Sequence, residues 1–186
     1  MAVAKGQTLR VFNQMRTLIH DFPTGQDAPG DPATLFLFGG FSWRRQDFRI
    51  WTLHYDQDID RFTYRPTSDW PGQKHGRKNM AFAGDVAEEA HDELINLLRR
   101  RRKLTGGGFD MEPFEVLRDM IRSGKYPSIG GAPQIAKVYK YMRTQFFAVQ
   151  WPDNTGVPHI LGRPALNYEI FEPLIDPDAP TKHTRR

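Results

Sequence analysis

The densest run of charge in the chain is Arg99-Arg100-Arg101-Arg102-Lys103. Five adjacent cations suit phosphate neutralisation, and Arg44-Arg45 and His75-Gly76-Arg77-Lys78 are candidates to widen such a face. The run also falls where a helix should end, and cations there are favoured by the negative end of the helix dipole. No aromatic residues are interleaved with it to stack on bases. A solvated helix end is therefore the leading reading, with nucleic-acid binding through Arg99, Arg100, Arg101, Arg102 and Lys103 as the alternative. A second cluster, His54-Tyr55-Asp56-Gln57-Asp58-Ile59-Asp60, sets three carboxylates at alternate positions, as a calcium loop does at its start. Arg61 stands where that loop needs glycine and Thr67 where it needs a closing glutamate, so the segment reads as a hairpin turn. The six histidines, His20, His54, His75, His91, His159 and His183, form no His-x-His or His-x-x-x-His pair, and there is no cysteine. Disulfides, thiolate catalysis and Cys-ligated metals are excluded together, and no metal or cofactor is assigned. Gly39-Gly40-Phe41-Ser42-Trp43 leads into a strand pair, so its amides lack the helix dipole that a phosphate cradle uses. Nucleophile-elbow, P-loop and dinucleotide patterns are absent.

The elements that would position these residues follow from periodicity. Leu9, Phe12, Met15 and Leu18/Ile19 recur at helical spacing and predict a helix over residues 8–20. Residues 34–41 form a nearly continuous apolar run, as a strand covered on both faces would. With residues 48–55 and 61–65 it predicts an antiparallel meander over 34–65. Met80-Ala81-Phe82-Ala83-Gly84 reads as a short strand of small residues. A helix over 85–103 follows, with Asp85 as N-cap, Glu88 completing a capping-box pattern, and Ala87, Ala90, Leu94 and Leu97/Leu98 as its buried stripe. A second helix over 113–123 opens at Pro113, buries Phe114, Leu117 and Ile121, and ends at Gly124. Strands are expected at 133–142, 145–151 and 159–166, and the basic tail 176–186 is expected to fray. Strands, two consecutive helices and strands again imply a single α+β domain over 1–175 with antiparallel sheets and flanking helices. The 186 residues suffice for one core, and the net charge of +4 is too small to point to a partner class. The longest strongly apolar run, Leu35-Phe36-Leu37-Phe38, is far short of the roughly 20 residues that a membrane span needs. No leader pattern opens the chain, so the expectation is a cytoplasmic protein with no membrane partner.

The order of segments carries a resemblance. A helix precedes Leu35-Phe36-Leu37-Phe38-Gly39-Gly40-Phe41, residues 48–55 follow, then Met80-Ala81-Phe82-Ala83-Gly84, two helices, and Ile129-Gly130-Gly131-Ala132-Pro133-Gln134-Ile135. Over residues 8–150 this resembles the later part of a proteasome-type subunit of the N-terminal-nucleophile (Ntn) hydrolase superfamily. The resemblance implies a four-layer α/β/β/α sandwich, present here in part, and association with copies of itself or related subunits. It also implies a Thr, Ser or Cys exposed as the first residue of the mature chain, its α-amino group serving as base. The chain begins Met1-Ala2-Val3-Ala4-Lys5-Gly6-Gln7-Thr8; Ala2 cannot be a nucleophile, and Thr8 follows Gln7 and opens a helical pattern. No catalytic residue carries over. The expectation is a non-catalytic or N-terminally truncated member with a structural or assembly role, an amide hydrolase only if upstream residues supply the nucleophile. Trp43, Trp51 and Trp70 are candidates for subunit contacts, with a place in the core as the equal alternative.

Overall fold

The computed structural model describes residues 10, 14, 35–56, 58–59, 61–67, 80–104, 110–141, 143–152, 156–169 and 174–180. It is an α+β protein with antiparallel sheets and two described long helices, grouped into two compact units. Of the helix expected over 8–20, only Arg10 and Gln14 are described, and both are helical.

The first unit holds the meander: β1 (Leu35–Ser42), β2 (Asp47–Asp56) and β3 (Arg61–Pro66), in the order β1-β2-β3. Its register pairs Phe36 with Leu53, Phe38 with Trp51 and Tyr55 with Phe62. Alternation then gathers these side chains on one face. Phe36 and Phe62 lie 6.3 Å apart between ring centres, Phe38 and Trp51 6.3 Å, and Tyr55 and Phe62 5.5 Å. Leu53 and Phe62 are buried there. The opposite face carries Leu35, Leu37 and Phe48, all exposed, so β1 is not covered on both sides as its apolar run suggested. The β2–β3 turn is organised by Asp56, whose Oδ1 accepts from the Asp58 amide at 3.2 Å, in agreement with a hairpin turn. Gln57 and Asp60 lie outside the described residues. Residues 80–84 also belong to this unit, but they form no strand.

The second unit contains α1 (Ala87–Arg100) and α2 (Glu112–Ser123), which pack on each other, followed by a five-stranded sheet. Helix α1 buries Leu94 and Leu98 as its periodicity predicts. Its N-cap is Val86 without a side-chain cap, so the Asp85–Glu88 capping box does not form. The C-terminus closes as a Schellman motif: the Lys103 amide donates to Leu98 O and the Arg102 amide to Arg99 O. Arg102 takes the left-handed conformation there, at φ 55°. Helix α2 ends on Gly124, at φ 62°, as expected. Its buried side differs from the predicted stripe: Phe114 is joined by Val116, Met120, Glu112 and Glu115, while Leu117 is exposed. The strands are β4 (Ile135–Val138), β5 (Thr144–Val149), β6 (His159–Ile160), β7 (Arg163–Pro164) and β8 (Leu174–Ile175). The expected strand over 133–142 is thus only four residues long, and that over 159–166 is a small hairpin. Phe114 of α2 packs on Phe147, Val149 and Ile175, with Met111, Ile135 and Trp151 around them. β8, which periodicity does not reveal, runs parallel to β5. Of the tail, residues 176–180 are described. Arg118 Nη1 donates to Pro177 O at 2.6 Å and Arg122 Nη1 to Asp178 Oδ1 at 2.5 Å, holding the chain to α2. Pro177 and Pro180 are buried, and residues 181–186 lie outside the described set.

Candidate functional site

The five cations that the alternative reading joins in one phosphate-binding face are divided by the structure. Arg101, just past α1, makes two parallel hydrogen bonds to Glu115, Nη1 to Oε1 at 2.7 Å and Nη2 to Oε2 at 2.6 Å. Lys103 Nζ donates to Glu112 Oε1 at 2.5 Å, and the Asp110 amide donates to Glu112 Oε2 at 2.7 Å. The Glu112 side chain is only 3% exposed. Burial alone would push its carboxyl up, but the hydrogen bonds from Lys103 and the Asp110 backbone outweigh it and hold the group at about 2. The Glu115 hydrogen bonds raise the Arg101 guanidinium. Arg101 and Lys103 therefore work as a clamp between the end of α1 and the first turn of α2. Arg99 Nη1 donates to Asn96 Oδ1 at 2.9 Å, and Arg100 and Arg102 are exposed. What remains for phosphate is a sparse helix end.

Beside that end, Glu93 and Arg100 of α1, Asp119 and Ser123 of α2, and Lys125 and Tyr126 line a groove of about 230 Å³. Its acids and bases are balanced. Lys125 Nζ sits 5.0 Å over the Tyr126 ring, Asp119 takes Arg118 Nε at 2.7 Å, and the Ser123 hydroxyl donates to Met120 O. Arg163 and Glu169 form a further double hydrogen bond at 2.8 and 2.6 Å. That pairing, with the Leu166 amide, holds the Glu169 carboxyl at about 2.

Aromatic residues that charge runs do not reveal come together in the first unit. Phe41, Trp43 and Phe48 form an edge-to-face cluster, with Phe41–Trp43 at 5.3 Å and Phe41–Phe48 at 5.2 Å between ring centres. Residues 139–141 group with this unit. Tyr141 adds its ring 5.6 Å from Trp43, and Lys140 Nζ lies 5.3 Å over Phe41. Trp43 is 44% exposed, Phe48 47% and Tyr141 74%. Arg44 and Arg45 stand in the same turn, exposed. The signal is present as Phe41-x-Trp43-Arg44-Arg45 and Lys140-Tyr141, but nothing in the spacing joins segments about a hundred residues apart. Trp51 is half-buried beside Phe38, and Trp70, like His75-Gly76-Arg77-Lys78, lies outside the described residues.

The histidines remain dispersed: His54 on β2, His91 on α1 with Nδ1 3.3 Å from Asp92 Oδ1, and His159 on β6. His20, His75 and His183 lie outside the described residues. Among the described residues no three His, Asp or Glu side chains gather as a metal site would require, and no helix is long and apolar enough to cross a membrane. No family model, curated protein or solved structure matches the chain.

Proposed function

We propose that the chain is a cytoplasmic, proteasome-subunit-like domain of Ntn-hydrolase type that serves structure or assembly among like subunits. The observation that supports this reading is that each sheet carries large apolar residues on both faces. In the first sheet the aromatic face of Phe36, Phe38, Trp51 and Phe62 is backed by exposed Leu35, Leu37 and Phe48. In the second, Phe147, Val149 and Ile175 lie under α2, while Val138, Phe146 and Leu174 are exposed. A sheet covered once needs one apolar face, and a sheet inside a multilayer sandwich or a subunit interface needs two. The element order supports the same assignment: three antiparallel strands, two helices, a Gly130-Gly131-Ala132-Pro133 turn and a further antiparallel pair. The titratable groups brought together are opposite charges that tie helix, loop and C-terminal segment, which suits a scaffold.

Light scattering after size exclusion tests this reading at micromolar concentration. The expected mass is a multiple of the 21.5 kDa chain. A strict monomer overturns it.

A further inference from the structure

We propose that the β1–β2 turn, with Lys140 and Tyr141, is a binding site for single-stranded nucleic acid. The turn itself is tightly built. Residues 43–46 connect β1 to β2; the Arg45 amide donates to Ser42 O at 3.2 Å, Gln46 takes φ 51°, and its Nε2 donates to Trp43 O at 2.8 Å. The Trp43 ring is fixed edge-on against Phe41 and flanked by Tyr141, yet keeps 44% of its surface exposed. A pinned, half-exposed indole beside an exposed phenol is a surface on which flat bases stack without further ordering of the protein.

The charge around these rings selects the partner. Arg44 and Arg45 follow Trp43 in the exposed turn, Lys140 lies over Phe41, and neither arginine has an acid partner among the described residues. The acid next to the turn, Asp47, faces Arg49, with its Oδ2 3.7 Å from Nε. An identical patch on a second copy would set three cations against three cations, a like-charge juxtaposition that interfaces avoid. A strand with a phosphate at each step and an accessible base face complements both features at once, as an acidic peptide without rings does not. A duplex offers the phosphates but keeps its base faces stacked internally. The site is therefore distinct from the Arg99–Lys103 run, where two of the five cations are held by Glu112 and Glu115. It also does not rest on the assembly reading: a monomer that binds a strand would keep the one and remove the other.

Fluorescence anisotropy of the full chain with labelled oligo-dT of about 15 nucleotides, at about 50 mM salt and upward, is the test. The expected result is salt-dependent binding that is weaker for duplex of equal length. Trp43→Ala should weaken it about tenfold. Arg44→Ala with Arg45→Ala should lower the salt slope by about 1.4, at roughly 0.7 for each phosphate no longer neutralised. Tyr141→Ala provides a second stacking probe should Trp43→Ala fail to fold, and Arg100→Ala with Arg102→Ala should leave affinity unchanged. No binding at low salt overturns the proposal. So does equal binding of duplex and heparin that is indifferent to Trp43→Ala and Tyr141→Ala, which is a generic polyanion effect. An oligomer dissociated by Trp43→Ala overturns it as well and assigns the patch to subunit contacts.

Discussion

Glu112 is the residue on which local energetics can be read most directly. A carboxylate this buried survives ionised because Lys103 and the Asp110 amide both donate to it. Its folded-state value, about 2, lies below the ordinary 4.5. A depressed carboxyl contributes stability that is fully present above the unfolded value and is lost as pH falls through the folded one. The window is thus from about 4.5 down to about 2, and the difference corresponds to roughly 3 kcal/mol. Glu112→Gln should flatten the acid limb of a pH–stability curve in that window and lower the neutral-pH melting temperature by several degrees, at about 2–4 °C per kcal/mol for a chain of this size. An unchanged acid limb would show that the clamp adds nothing. Arg102 offers the converse test. It occupies the left-handed position that closes α1, at φ 55°, which is unfavourable by about 1 kcal/mol for a residue with a Cβ. Arg102→Gly should raise stability in urea melts by up to about 1 kcal/mol; a decrease would mean that its side chain makes an interaction outweighing the backbone strain.

At the scale of elements, the β6–β7 hairpin is held by a two-residue loop, Leu161-Gly162, with φ 53° and 77°. Two successive positive φ values define the turn that matches strand twist, and it favours Asn-Gly over Leu-Gly. Leu161 is exposed, so Leu161→Asn should stabilise the hairpin. Gly162→Ala should do the opposite, because a Cβ there would meet Gln134 Nε2 at 2.8 Å in addition to the φ penalty. Amide exchange of residues 159–164 in the two variants reads the difference, and equal protection would refute the strain argument. This turn also shows what a sequence conceals. Periodicity finds the meander, both helices, the Gly124 cap and the Leu94–Leu98 stripe, because each is written within a few residues of itself. It overruns 159–166, since Leu161-Gly162 carries a weaker turn signal than Asn-Gly. It places Leu117 inside α2 and misses Glu112 and Glu115 there, because a buried acid is legible only once its partners are known. Those partners, Arg101 and Lys103, look in sequence like part of a solvated run. β8 and the anchoring of Pro177 and Asp178 depend on β5 and α2, and no local pattern encodes such pairings. The aromatic–cation patch is hidden for the same reason: half of it lies near residue 43 and half near residue 140.

For the whole molecule, the exposed second face of each sheet poses a question of mass action. Phe146 and Phe147 are adjacent on β5, and strand alternation sends them to opposite faces. Phe147 is 8% exposed beneath Phe114, whereas Phe146 is 48% exposed. If the exposed faces are surfaces shared between copies, folding and association are linked, and the melting temperature must rise with protein concentration. Phe147→Ala removes core packing and should lower stability by about 3 kcal/mol or more at every concentration. Phe146→Ala should change the dilute-limit melting temperature little, since an exposed ring contributes little to a monomer, but it should abolish the dependence on concentration. Calorimetry across a hundredfold concentration range separates the two cases. A wild-type melting temperature independent of concentration, with Phe146→Ala as neutral as any surface change, would mean that this face is covered by no second copy, and the assembly reading would then fail.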